Sequence, residues 1–415
     1  MRTRFAVLIG LLALAVGLAM PLPAHADDGT FLDAVQSGKA NFGFRLRWES
    51  VDDDAFSEDG EALTVRLNLG YRTAEWRGLS FYAEVQSVQD LAKEYDHDNK
   101  GAGEHWNGVS EYPAIADPSI TDFYQAYMDL KLGEGTTLRA GRQEIKLDNV
   151  RFVGNVGWRQ FHQSFDAVRI DTTAIPKTKL TYIYIGKVHR IFGDGLPMDS
   201  HLLNASWKVT ESSTLHAYVY RLDYDREANW GLSTMTYGAR WDGSVALGGD
   251  WKGLFDVEIA RQSDTGDNPN DIDQWYYRGV IGAKYDAFTA KVGYELLGGD
   301  GEDGVFTTPL ATLHAWNGWA DMFLSTPANA VDEYWGLEDM FVSVGWKKNA
   351  WNLLAVWHDF SADTGGIDYG TELDLLCAWT APWKQVFALK YASFSHDGDY
   401  SRDVDKLWAY TAWKF

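Results

Sequence analysis

A single cysteine, Cys377, leaves no partner for an intrachain disulfide and no thiolate cluster for a metal. Proline is nearly as scarce, at 10 residues, and no Pro/Ser-rich linker, low-complexity tract or long charge block divides the chain. After residue 26 no apolar run is long enough for a membrane-crossing helix. Histidine is also sparse, at 10. His162 and Ser164 would share one face of a strand, but no acid is placed to complete a nucleophile and its base. No phosphate-cradling glycine loop or metal-ligand cluster is present, and His97 between Asp96 and Asp98 reads as solvated loop. Enzymatic activity, a cofactor, a bound metal and nucleic-acid binding are therefore not expected.

What is abundant is aromatic and glycine: 19 Trp, 21 Tyr, 20 Phe and 40 Gly. Arg2 and Arg4 precede an apolar stretch, Phe5 to Met20, and a small-residue box ending at Ala26. This pattern is that of a secretory signal covering 1–26, with 27–415 as one mature domain. Removing Arg2 and Arg4 takes the formal charge from −22 to −24. A secreted, acidic, aromatic-rich chain without helical spans points to an all-β transmembrane barrel in the outer membrane of a Gram-negative cell.

The dominant period is two. Leu63, Val65, Leu67, Leu69 and Tyr71 fall on one face, and Thr64, Arg66, Asn68 and Gly70 on the other. Eighteen such segments are expected, near 40–50, 61–73, 78–89, 120–131, 136–143, 164–171, 179–190, 199–208, 213–223, 233–243, 250–263, 273–285, 287–298, 337–348, 350–361, 369–380, 383–395 and 404–415. Connections after even-numbered strands are short and those after odd-numbered ones long. That parity belongs to an antiparallel up-and-down barrel with short periplasmic turns and long outer loops. The chain ends on an amphipathic strand and Phe415, a signal of the kind barrel proteins present to their insertion machinery.

Charges within strands should face the lumen, because Arg or Lys on the lipid face at the midplane costs roughly 2–4 kcal/mol. This places Arg45, Arg47, Arg66, Arg72, Arg139, Arg221, Arg240, Arg278, Lys284, Lys291 and Lys390 inward, with acids such as Glu84, Asp129, Asp256, Glu258, Glu295, Glu372 and Asp374. The first two strands make one sector basic, whereas the outer loops are acidic and suited to divalent ions and lipopolysaccharide. Three loops, 90–119, 144–163 and 299–336, are long enough to enter the pore. The third carries Phe306, Leu310, Leu313, Trp316, Trp319, Met322 and Phe323, too apolar for a free loop. It is expected to pack on the barrel or into its mouth, with an oligomer contact as the rival reading. Arg142, Arg151 and Arg159 lie between two strands in Thr136–Ile170, beside Trp158.

Several segments resemble the alginate-export family of outer-membrane porins: Leu63–Arg72, Gly141–Gln143, Asp148–Gln160 (DNVRFVGNVGWRQ), Phe165–Ala167, Asp199–Leu202 and Thr308–Asp321 (TPLATLHAWNGWAD). The resemblance implies an 18-stranded monomeric barrel with an arginine-lined constriction, which in the exporter passes a polyuronate without ATP. Arg66 and Arg142 sit in segments that match the family's basic lining, and Arg151 and Arg159 in a loop motif of the broader family. A planar guanidinium pairs with carboxylates through two parallel bonds, which suits such a lining. The candidate lining is thus Arg45, Arg47, Arg66, Arg72, Arg139, Arg142, Arg151, Arg159 and Arg240, with Trp158, Trp316 and Trp319 as stacking faces for sugars. The expected function is a passive channel for anionic solutes, alginate-like polysaccharides among them. The alternative is a general diffusion or uptake porin for small organic molecules.

Overall fold

The computed structural model describes residues 29–97, 107–328, 334–398 and 402–414. The expected signal at 1–26, Trp106 and the terminal Phe415 lie outside the described residues. Eighteen strands form one antiparallel sheet. They are β1 (Lys39–Asp53), β2 (Gly60–Arg72), β3 (Leu79–Glu94), β4 (Ile120–Gly133), β5 (Thr136–Gln143), β6 (Ser164–Thr172), β7 (Thr178–His189), β8 (Gly195–Thr210) and β9 (Ser213–Leu222), then β10 (Thr234–Gly248), β11 (Trp251–Asp264), β12 (Asp273–Tyr285), β13 (Phe288–Leu297), β14 (Leu337–Lys348), β15 (Trp351–Ser361), β16 (Asp368–Thr380), β17 (Val386–His396) and β18 (Val404–Lys414). Each strand pairs with its neighbours in sequence, and β1 pairs with both β2 and β18, so the sheet closes. Closure leaves no unpaired strand edge, which a bilayer would penalise.

The alternation read from the sequence is what the sheet uses. On β2, Leu67 and Leu69 face outward, Leu69 being 65% exposed, while Thr64 is buried inside. Ile281 on β12 is likewise 65% exposed on the outer face, between the inward Val280 and Gly282. Stacked aromatic pairs mark the two interfaces, Trp251 on Tyr285 and Trp379 on Phe387 at the lower level, Trp275 on Tyr277 at the upper. The lower turns are tight. Asp286 and Asn349 take φ of 46° and 52° in two-residue connections, a conformation Asn and Asp tolerate well. β10 runs five residues past its expected end to Gly248, so the turn before β11 is only 249–250. A short helix, α1 (Phe31–Gln36), is capped by Thr30 and lies against the β2–β3 turn, with Phe31 edge-on to Trp76 at 5.7 Å.

Two charges expected inward are not. Arg142 alternates with Arg139 and the buried Gln143, and shares the outer face with Ala140 and Ala126. Arg221 sits between the buried Tyr220 and Leu222 and is also outward. Both lie one residue from the upper end of their strand. There the lipid-face charge cost falls to about 0–1 kcal/mol, and each finds an acid: Asp122 and Asp166 for Arg142, Asp223 for Arg221.

Candidate functional site

The third outer loop (144–163) and the described stretch 298–328 of the seventh fold into the barrel and pack on each other. Gly154 N donates to Leu310 O at 2.8 Å and Thr312 N to Val150 O at 3.1 Å. A Cβ on Gly154 would lie 2.1 Å from Thr312 Oγ1, so this close approach requires glycine. Phe152, Val153, Phe306, Leu310, Ala320 and Phe323 are buried together in one apolar cluster. The apolar residues of the seventh loop thus find their cover inside the barrel, as expected of a loop folded into the mouth.

The strands grip this pair of loops from all around. Arg45 Nε donates to Gln160 Oε1 at 2.8 Å and its Nη2 to Trp158 O at 2.5 Å. Arg47 donates to Trp158 O at 2.8 Å and pairs with Glu49 at 2.9 Å and with Asp117 of the second outer loop. Arg66 donates to Gln160 O at 3.3 Å and to His162 Nε2 at 2.5 Å. From the loop side, Arg159 reaches Glu49 at 3.3 Å and Asp321 at 2.9 Å, and Arg151 reaches Glu295 and Asn317 at 2.8 and 2.9 Å. Across the lumen Asn149 donates to Glu258, Asn204 to Asp148, and Ala320 N to Glu372.

At the centre, Lys390 Nζ stands 3.6 Å from the Trp319 ring centroid and 4.2 Å from that of Trp158. It donates to His314 Nε2 at 2.5 Å, and His314 donates from Nδ1 to Asp321 at 2.7 Å. Trp158 stacks on His314 at 4.5 Å with an interplanar angle of 7°. Burial, with Lys390 and Arg159 nearby, pushes His314 down to about 3, so it is neutral. Burial also drives His162 well below the usual range, helped by Arg66 and Arg45. Asp321 is buried too, which would raise it, but His314, Lys406 and Arg159 outweigh that and hold it well below the carboxylate range. Arg159 is raised by Glu49 and Asp321 against its own burial.

Below the two loops a chamber of about 550 Å³ opens against β12–β15. Arg278, Lys284, Lys291 and Lys347 line it together with Trp316, Trp319 and Phe341. Arg278 is engaged by Asp256 at 2.5 Å, and its guanidinium lies 5.1 Å from the Trp316 ring. Around the rest of the lower lumen, Arg72 and Arg139 share Asp129 at 3.1 and 2.7 Å, and Arg240 forms two bonds to Asp256 at 2.7 and 3.1 Å.

A closed 18-stranded barrel whose long loops on one side fold into the lumen, and whose outer face is apolar with aromatic belts, is an outer-membrane channel. The family described as alginate export matches residues 39–300, well over half of the sequence. The chain belongs to that family. No curated protein matches it by sequence. Solved structures of Pseudomonas aeruginosa porins share its fold. OccK9 (OpdG) is 16% identical, with 92% of this chain and 99% of that one covered and a TM-score of 0.70. OpdK, solved with vanillate, is 14% identical, with 92% and 100% covered and a TM-score of 0.69. OccK5 (OpdH) is 13% identical, with 92% and 99% covered and a TM-score of 0.65.

In this alginate-export family member the arginines sort into three groups. Arg45, Arg47, Arg151 and Arg159 are buried, Arg47 and Arg151 to 1% exposure, and hold the loops through carbonyls and carboxylates. Arg66, Arg72, Arg139 and Arg240 face the lumen, with the Arg72 side chain 40% exposed. Arg142 lies outside the barrel. The tryptophans also separate. The Trp158 ring is engaged by His314, which stacks on it, and by the Arg47 guanidinium at 5.0 Å and Lys390, whereas Trp316 and Trp319 reach the chamber. Gln160, Asn317, His314 and Asp321 escaped sequence reasoning because an aperiodic loop gives no face to assign. Lys347, two residues before the turn residue Asn349 on an alternating strand, carried a readable signal.

Proposed function

We propose that the channel passes anionic solutes, carboxylates of the oligouronate kind among them, along the side of the lumen closed by β12–β15. The observation that supports this reading most directly is the chamber beneath the loops. Three lysines and Arg278 line it, and its acids Glu295 and Asp339 are already engaged by Arg151, Asn317 and His358. Cationic linings raise the local concentration of anions, and rings of Lys or Arg select anions in pores. Trp316 and Trp319 at the roof offer apolar edges to a sugar or aromatic ring. Membership in the alginate-export family agrees with an acidic polysaccharide as cargo.

A second reading, passage of small organic acids, is favoured by the structural likeness to OpdK, which was solved with vanillate, a small aromatic carboxylate. Both readings need the same positive lining and differ in cargo length. Reversal potentials across a KCl gradient in planar bilayers test the shared part, with anion selectivity expected and cation selectivity as the result that sinks it. Current block by galacturonate oligomers of increasing length then separates the two.

A further inference from the structure

Lys252 on β11, Lys284 on β12, Lys291 on β13 and Lys347 on β14 all point inward and sit in the lower ends of their strands. Lys252 and Lys284 are direct cross-strand partners, and Lys291 follows one inward step along β13. Like charges placed directly opposite on a sheet are destabilising, so packing alone does not favour this arrangement. All four are exposed, and among the described residues none of them makes an ion pair. Of the nearby acids, Asp256 is committed to Arg240 and Arg278 and Asp286 to Lys348 on the outer face, and Asp250 in the turn before β11 is exposed and makes no ion pair with Lys252. Most other lumen cations described above are bonded to a carboxylate or a loop carbonyl.

The opposite mouth carries the opposite sign. Asp52, Asp54, Glu58 and Asp59 at the first outer loop, Asp267 and Asp271 at the sixth, and Asp300, Glu302 and Asp303 at the seventh are all at the upper rim. The two loops packed across the lumen stand between this rim and the chamber.

From these observations we infer that the lysine staircase Lys252–Lys284–Lys291–Lys347 is a docking site for ligands bearing two or more carboxylates, open to the periplasmic mouth and screened from the outer one. The inference rests on the anion-channel reading and adds a place and a side to it. A polycarboxylate arriving from the periplasm meets free ammonium groups at once. One arriving from outside meets the acidic rim first.

The test uses the full chain in planar bilayers, with orientation fixed by one-sided addition and checked by protease cleavage of the outer loops. Trigalacturonate is the probe, added to one side at a time. Block is expected at about tenfold lower concentration from the periplasmic side, in line with electrostatic focusing at a charged cleft. The K252Q/K284Q/K291Q/K347Q variant should lose that sidedness. These residues are exposed and unpaired, so the variant should keep the heat-modifiable gel mobility of a folded barrel. Equal block from both sides, or sidedness that survives in the variant, overturns the inference while anion selectivity stands. Cation selectivity without block overturns both readings together.

Discussion

Arg159 is the side chain on which most of the loop packing converges. It bridges Glu49 of β1 and Asp321 of the seventh loop, and all three side chains are buried. Removing one partner of a buried charge network costs about 3–5 kcal/mol, because the remaining charges stay desolvated. Arg159→Met should therefore undock the two loops, read as new protease cleavage within 144–163 and a noisier single-channel current. A milder probe is Gly318, whose φ is +84° and whose added Cβ would sit 2.2 Å from Glu372 Oε2. Gly318→Ala should cost about a few kcal/mol of stability or less, read as a lower urea midpoint in detergent, as replacements at positive-φ glycines do. Arg142→Ala, by contrast, should leave the reversal potential unchanged, and a shift toward cations would return Arg142 to the filter. At this scale the alternation of β1 and β2 showed which arginines face the lumen. It failed for Arg142 and Arg221 because the rule is one of lipid depth and both sit above the hydrophobic slab. It also could not show that Arg45 and Arg47 end on the carbonyl of Trp158, since an irregular loop leaves no period to read.

The two loops act as one element, and their histidines give that element a pH dependence. His162 and His314 are both held neutral by burial, His314 with a value of about 3. In an undocked loop each would titrate near 6.5. Above that pH neither form takes up a proton, so docking has its full strength. As the pH falls below 6.5 the undocked loop is protonated and the docked one is not, so docking weakens progressively, His314 alone contributing a loss of about 2 kcal/mol at pH 5 and His162 adding to it in the same direction. Asp321, whose value is lowered, adds its own loss only below about 3.9. Protection factors at 157–162 and 312–322, with the base-catalysed intrinsic rate divided out, should be lower at pH 5 than at pH 8, and nearly flat in the H162Q/H314Q variant. An equal loss of protection at pH 5 in that variant would place the sensitivity elsewhere. The apolar composition of 299–336 made its burial legible in the sequence. Its partner, the 144–163 loop, was legible only as a carrier of arginines, because the contacts between them join residues some 150 positions apart, as from Val156 to Thr312.

For the molecule as a whole, a formal charge of −22 would suggest a cation channel if charge alone decided. The distribution argues otherwise, since much of the acid lies on the outer loops or inside ion pairs while the exposed lumen charge on β11–β14 is lysine. Two sources of anion preference then make different demands on salt. The buried arginines that hold the loops are shielded from mobile ions, and a filter built from them would keep its selectivity in concentrated salt. The chamber lysines are exposed, and the Debye length around them shrinks from about 10 Å at 0.1 M to about 3 Å at 1 M. If the lysines set the preference, the anion-to-cation permeability ratio should fall toward one between 0.1 and 1 M KCl, with the K252Q/K284Q/K291Q/K347Q variant near one throughout. A ratio that holds steady to 1 M, in both proteins, would move the filter up to Arg66 and Arg45, which both bond Gln160, and leave the chamber as a vestibule.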